Sequence, residues 1–137
     1  MREKNLTCLL IDDDSDDQEI FRVALKKVDP HITCLFANDG VFALEKLSGN
    51  PAIHPLFIFI DINMPRLNGL QCLAEIKKDK TLQDIPIFMY STTSEPEVKK
   101  QCKKLGAADF IVKSPNIADL ENVLSGIMQQ LRTNYIF

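Results

Sequence analysis

The residues best suited to chemistry in this chain are mostly acidic, and they stand directly after short apolar runs. Asp12-Asp13-Asp14 follows Leu6–Ile11, and Asp61 follows Leu56–Ile60. Ser91-Thr92-Thr93 follows Ile85–Tyr90, and Lys113 follows Ala108–Val112. Carboxylates crowded together repel, and at least one has its pKa raised unless something compensates. A hard divalent cation compensates well. Mg²⁺ accepts oxygen ligands, keeps several waters and joins a phosphate to one or two carboxylates. A lysine nearby binds a phosphate oxygen as a point charge, and a serine hydroxyl donates a hydrogen bond to the same group. Brought together, Asp12, Asp13, Asp61, Ser91 and Lys113 are the equipment for phosphoryl transfer to a carboxylate, where positioning and charge neutralisation do most of the catalysis. Taken singly, each has a plainer role. An Asp after a strand often caps the next helix, which suits Asp14 or Ser15, and a lone lysine is usually a solvated loop residue.

Whether these residues meet depends on the elements that carry them. The five apolar runs Leu6–Ile11, Ile32–Ala37, Leu56–Ile60, Ile85–Tyr90 and Ala108–Val112 suit strands buried on both faces. A stretch with helical spacing follows each one. Ile20, Phe21, Ala24, Leu25 and Val28 mark the first helix; Val41, Leu44 and Leu47 the second; Leu70, Leu73 and Ile76 the third. The fifth is the clearest, with Ile117, Leu120, Val123, Leu124, Ile127, Met128 and Leu131 on one face. The fourth has only Val98, Cys102 and Leu105 among Lys99, Lys100, Lys103 and Lys104, which reads either as a loosely held, movable element or as a solvated surface helix. Asp29-Pro30, Gly49-Asn50-Pro51 and Gly106 punctuate the helix ends. Strict alternation of strand and helix predicts an α/β fold: a doubly wound, five-stranded parallel sheet ordered 2-1-3-4-5, flavodoxin-like. In that order the crevice between strands one and three brings Asp12 and Asp13 beside Asp61, with Ser91 and Lys113 on the same edge.

Composition narrows the classes of function. A chain of 137 residues is one domain's worth, and it is long enough to bury a core without disulfide or metal staples. The balance of 16 basic and 19 acidic residues argues against a general nucleic-acid surface. No apolar run approaches the ~20 residues that cross a bilayer, and the N-terminus is neither a signal nor a transit peptide. Neither nucleic acid nor membrane is expected as a partner, and the chain is read as cytoplasmic. Cys8, Cys34, Cys72 and Cys102 lack the close spacing of a zinc or redox site and read as small buried hydrophobes.

The motifs resemble those of the receiver domain of two-component response regulators, from about Asn5 to Leu131. Leu9-Leu10-Ile11-Asp12-Asp13-Asp14 resembles the first-strand acidic motif, and Phe59 through Gly69, with Met64-Pro65 inside it, resembles the phosphoacceptor loop. Ile85 through Ser91 resembles the fourth strand with its hydroxyl switch residue, and Gly106 through Lys113 resembles the fifth with its aromatic and its lysine. The resemblance implies one receiver domain over 1–137, with a core of about 5–131 and a tail of 132–137, acting as a signalling module rather than an enzyme. It implies that a histidine kinase or phosphotransfer protein phosphorylates Asp61, and that Asp13 and Asp61 hold Mg²⁺ through side chains. Asn63 would bind the ion through its backbone carbonyl and Asp12 through a bound water. Lys113 would pair with Asp61 and then with a phosphoryl oxygen, while Ser91 and Phe110 would turn inward as switch residues. The output would be a phosphorylation-dependent protein contact. The face of the fourth helix, fifth strand and fifth helix is also a candidate for homodimer formation. An ordinary core aromatic is nearly as good a reading of Phe110. Departures from the family pattern are Lys113-Ser114-Pro115 where Lys-Pro is usual, and Phe110 where Tyr is frequent. The Lys-Ser-Pro variant and the Asp13-x-x-Asp16-Asp17 opening look like the small stand-alone receivers related to phytochrome-associated regulators.

Rival readings fit less well. A dehalogenase-like phosphohydrolase wants Asp-x-Asp-x-Thr/Val after the first strand, and a calcium loop wants Gly where Asp17 stands and Glu where Val23 stands. A flavin mononucleotide binder of the same fold needs a hydroxyl-rich loop where this chain has Asp. The intact acidic set argues against a receiver that has become a pure scaffold. The apolar end Tyr135-Ile136-Phe137 is open to packing on the domain, self-association or fraying.

Overall fold

A computed structural model describes residues 6–48, 54–64 and 66–134. The chain alternates β1 (Leu6–Ile11), α1 (Ser15–Val28), β2 (Ile32–Ala37), α2 (Gly40–Ser48), β3 (Ile58–Asp61), α3 (Gly69–Lys78), β4 (Ile87–Ser91), α4 (Pro96–Lys104), β5 (Asp109–Val112) and α5 (Ile117–Asn134). All strand pairs are parallel and the order is β2-β1-β3-β4-β5, the expected topology. Strands three and four begin two residues later than their apolar runs. Leu56 and Ile85 belong to approach loops, whose amides bond to Thr7 and Leu82 carbonyls. Asp61 and Ser91 are therefore the last residues of their strands rather than the first beyond them. The last helix continues to Asn134, past the core end expected at 131. Pro65, the Gly49-Asn50-Pro51 turn and the 135–137 segment lie outside the described residues.

Each strand alternates its side chains between two cores. Leu9 and Ile11 of β1, Ile58 and Ile60 of β3, and Ile87 and Met89 of β4 pack with Ala43 and Leu47 of α2, Cys72, Leu73 and Ile76 of α3, and Cys102 of α4. On the other face Cys8, Leu10, Phe59, Phe88 and Tyr90 pack with Phe21, Ala24 and Leu25 of α1 and with Leu120, Leu124, Ile127, Met128 and Leu131 of α5. Phe59 is the hub of this second core. Its ring lies 4.9 Å from Phe21, 5.5 Å from Tyr90 and 5.4 Å from Phe88. A fully buried Phe contributes about 2–3 kcal/mol, so the sheet is firmest beneath the strand that ends in Asp61. At the sheet edge, β5 is at most half-buried along its length, and Val112 is 42% exposed.

Helix ends are set locally. Asp14 caps α1, its Oδ1 accepting from the Asp16 and Asp17 amides at 2.8 and 3.1 Å. Asn68 and Gln71 form a reciprocal capping box on α3. The N-cap of α4 makes no side-chain bond, and Cys102 is its one buried residue, in line with the thin stripe read from sequence. Gly106 closes α4 at φ +102°, with the Gly106 and Ala107 amides bonding back to Lys103 and Cys102 carbonyls.

Gly69 fixes how closely α3 approaches the end of β3. Its amide bonds to the Ile62 carbonyl at 2.9 Å, and a Cβ here would stand 2.4 Å from the Asp61 carbonyl oxygen and 2.6 Å from Ile62 Cα. Both are backbone atoms that no rotamer change can move. Gly69→Ala is expected to lower unfolding stability by about 1–3 kcal/mol and to displace the Asp61 strand end. Urea denaturation of the variant measures the loss, and a midpoint equal to that of the parent chain contradicts the close approach.

Candidate functional site

Parallel register places the site. Ile11 pairs with Ile60 across β1 and β3, so the next residues on each strand, Asp12 and Asp61, emerge side by side at the carboxyl edge. The Asp12 amide bonds to the Ala37 carbonyl at 3.0 Å, which carries the β1–β2 ladder one step beyond Ile11. Asp12 is fully buried, Asp61 is 6% exposed and Asp13 is exposed. One carboxylate oxygen from each of Asp12, Asp13 and Asp61 lies within 4.8 Å of the others, an oxygen-only donor set of the kind that hard cations prefer.

The electrostatics follow from that crowding. Burial pushes the Asp61 carboxyl up to about 6. The Asp12 charge pushes the same way, and the Lys113 ammonium and the Asn63 amide oppose it. Burial also raises Asp12, against the Asp14 amide at 2.9 Å and the Lys113 ammonium at 3.0 Å. Desolvation alone would lower the Lys113 pKa; hydrogen bonds to Asp17 and Asp12 and the charges of Asp12 and Asp61 overcome it and hold the ammonium firmly protonated. The Asn63 amide approaches Asp61 Oδ1 at 3.4 Å. Ser91 is fully buried at the end of β4, its Oγ accepting from the Thr93 amide at 3.2 Å and its carbonyl from the Lys113 amide at 2.7 Å.

The structure thus brings together Asp12, Asp13, Asp61 and Lys113, with Ser91 at the end of the neighbouring strand. Asn63 faces the cluster through its backbone, and its side chain is part of an exposed residue. Phe110 is half-buried against the α2–α4 core, with the Lys99 ammonium 5.7 Å from its ring.

The expected pairing of Lys113 with Asp61 is present as an ion pair at 3.7 Å, but it is the longest of the lysine's three carboxylate contacts. The lysine's hydrogen bonds run to Asp17 Oδ2 at 2.7 Å and Asp12 Oδ2 at 3.0 Å. Lys113 Nζ lies 5.1 Å above the Tyr90 ring, on the face that α1 covers, so the first turn of α1 receives it.

The sequence reading also missed Gln18, whose Nε2 donates to the Asp12 carbonyl at 2.6 Å and to Asn38 Oδ1 at 2.9 Å. A second miss was the Arg66–Asp39 ion pair at 2.5 Å, which joins the loop after β3 to the start of α2, with Arg66 at φ +64°. The Asp13-x-x-Asp16-Asp17 opening was a signal for Asp17; nothing in local pattern marked Gln18 or Arg66.

Known proteins share this architecture. The family model described as the response regulator receiver domain matches residues 8–125. The two-component response regulator ORR7 of Oryza sativa subsp. japonica is 29% identical over 121 residues, which cover 88% of this chain and 56% of that protein. ORR11 of Oryza sativa subsp. indica is 28% identical over 120 residues, covering 88% and 79%. The chain therefore spans little more than half the length of ORR7. Among solved structures, the phosphorylated cyanobacterial phytochrome response regulator RcpA superposes with a TM-score of 0.84 at 26% identity, covering 96% of this chain and 97% of that one. The Mn²⁺-bound form of response regulator Rcp1 gives 0.79 at 26% identity, covering 90% and 92%. Among the described residues no helix is long and apolar enough to cross a membrane.

The raised Asp61 pKa carries a stability consequence with a definite sign. The folded state holds the Asp61 proton more tightly than the unfolded chain does, so this group's contribution is fully present below about pH 4 and is lost as pH rises through about 6. At pH 8, in chelator, Asp61→Asn is expected to be more stable than the parent by about 1–2 kcal/mol, and the gain should vanish near pH 4. Urea titrations at the two pH values measure it; a gain independent of pH would mean that charge crowding is not its source. Mg²⁺ should stabilise the parent at pH 8, and Asp13→Asn should weaken its binding about tenfold or more by removing a charged oxygen ligand, as read by calorimetric titration.

Proposed function

Since the chain belongs to the response regulator receiver domain family, we propose that it accepts a phosphoryl group on Asp61 from a histidine kinase or phosphotransfer protein and signals through protein contacts that depend on that group. The observation that carries the reading is the meeting of three carboxylates from two strand ends around a nearly buried Asp61, with a lysine ammonium alongside.

The donor set fits Mg²⁺. Asp12, Asp13 and Asp61 would hold the ion through carboxylate oxygens, directly or through water, and Asn63 through its carbonyl. When bound, the ion neutralises the crowded carboxylates and the charge on the transferring group. The chain's own residues do the rest. An Asp61 carboxylate oxygen attacks phosphorus, the P–N bond to the donor imidazole breaks, and its electron pair returns to the ring nitrogen, leaving an acyl phosphate on Asp61. Lys113 takes a phosphoryl oxygen as its counter-charge, and the Ser91 hydroxyl turns to donate to another.

Phosphorylation turns a singly charged carboxylate into a group carrying close to two negative charges, and it brings three acceptor oxygens to one point. Ser91 and Lys113 stand at the ends of adjacent strands and share a backbone bond, so their rearrangement reaches β5 directly. The element beside it, α4, has one buried side chain to hold it. Phe110 turning inward and α4 shifting would change the α4–β5–α5 face, where a downstream protein or a second copy would dock.

Incubation with acetyl phosphate and Mg²⁺ is expected to add a single phosphoryl group, read by intact mass, and Asp61→Asn is expected to abolish it. An unchanged parent mass would sink the proposal, and label surviving in Asp61→Asn would move the acceptor elsewhere.

A further inference from the structure

The strongest hold on Lys113 comes from outside the cluster of candidate metal ligands. An ammonium has three hydrogens to donate, and two are engaged by Asp17 at 2.7 Å and Asp12 at 3.0 Å, while Asp61 at 3.7 Å is beyond hydrogen-bond reach. The two engaged carboxylates differ in what they lose on release. The Asp12 side chain is fully buried and has no solvent to take the lysine's place. The Asp17 side chain is 29% exposed, and it lies in the first turn of α1, where the helix dipole stabilises a negative charge. Asp17 is thus the partner that Lys113 leaves at least cost.

Building on the phosphoacceptor reading above, we propose that Asp17 is a positioning residue that draws Lys113 away from Asp61 in the unphosphorylated protein and yields it to an incoming phosphoryl group. In the resting protein this leaves Asp61 without a direct hydrogen bond from the lysine, so its oxygens stay open to a cation and to phosphorus. On phosphorylation, several charged oxygens compete against one partly exposed carboxylate, Lys113 turns to them, and water replaces it at Asp17. The contact spans 96 residues of sequence, so its exchange also unties the first turn of α1 from the end of β5.

Beryllofluoride with Mg²⁺, a phosphoryl analogue, tests the exchange by titration of the parent, Asp17→Asn and Asp16→Asn. Asp16 is an exposed carboxylate in the same turn and controls for the lost charge. Asp17→Asn is expected to bind the analogue roughly three- to fivefold tighter, the upper part of the range for solvent-accessible ion pairs, and Asp16→Asn less than about twofold tighter. Equal gains in the two variants, or none in Asp17→Asn, overturn the proposal. A second readout needs neither metal nor analogue, because Lys113 Nζ lies 5.1 Å over the Tyr90 ring. In metal-free protein the Tyr90 ring resonances should move in Asp17→Asn, stay in place in Asp16→Asn and return toward the parent positions in Asp17→Glu. Tyr90 resonances unmoved in Asp17→Asn also overturn it. If the parent takes no phosphoryl group from acetyl phosphate, the phosphoacceptor reading fails, while the Tyr90 measurement still decides whether Asp17 holds Lys113.

Discussion

Three carboxylates with oxygens within 4.8 Å of one another, two of them on buried residues, are an unfavourable arrangement that one lysine only partly offsets. Much of the rest of the structure exists to impose it. Parallel pairing of β1 with β3 forces Asp12 and Asp61 to the same level. The aromatic core centred on Phe59 and the close contact of Gly69 with the Asp61–Ile62 backbone keep the strand end from moving away to relieve the repulsion. The charge imbalance is therefore held in place by packing, and a divalent cation bound there would relieve it.

The same architecture separates a rigid half from a yielding one. Beneath Asp61, β3 and β4 are buried on both faces, with aromatic rings against α1 and α5 and aliphatic side chains against α2 and α3. Beyond Ser91 the packing thins: β5 lies at the sheet edge, α4 buries Cys102 alone, and four lysines line that helix. A change in charge at the rim would meet more packing on the β1–β3 side than around β5 and α4. That asymmetry would give a local event a preferred direction of travel with no dedicated pathway of residues. The membership of the chain in the receiver family is consistent with such a division of labour.

The lysine shows where a pattern-based reading stops. Lys113 after the fifth apolar run was legible as a positive charge at a strand end, and the strand order placed it at the rim that Asp12 and Asp61 share. Its partner was not legible, because Asp12 just after β1, Asp17 of α1 and Asp61 of β3 all compete for one ammonium. Which of them wins depends on rotamers and on the Tyr90 ring over which the side chain runs. Gln18 and Arg66 escaped notice for a related reason, since their partners Asn38 and Asp39 lie far along the chain and become neighbours only when the loops at the strand ends converge.

Local sequence was enough for the alternation of elements, the strand order and the gathering of Asp12, Asp13 and Asp61 at one edge. Those outcomes follow from hydrophobic periodicity, crossover handedness and the two-residue repeat of a strand, all short-range rules. The Asp14 cap and the Gly106 helix end were readable on the same grounds. The aromatic hub at Phe59, the depth to which Asp61 is buried and the choice of Asp17 as the nearest partner of Lys113 were decided by tertiary structure. Each of these depends on the distances between side chains brought together by separate strands and helices, and no repeat along one segment encodes such a distance.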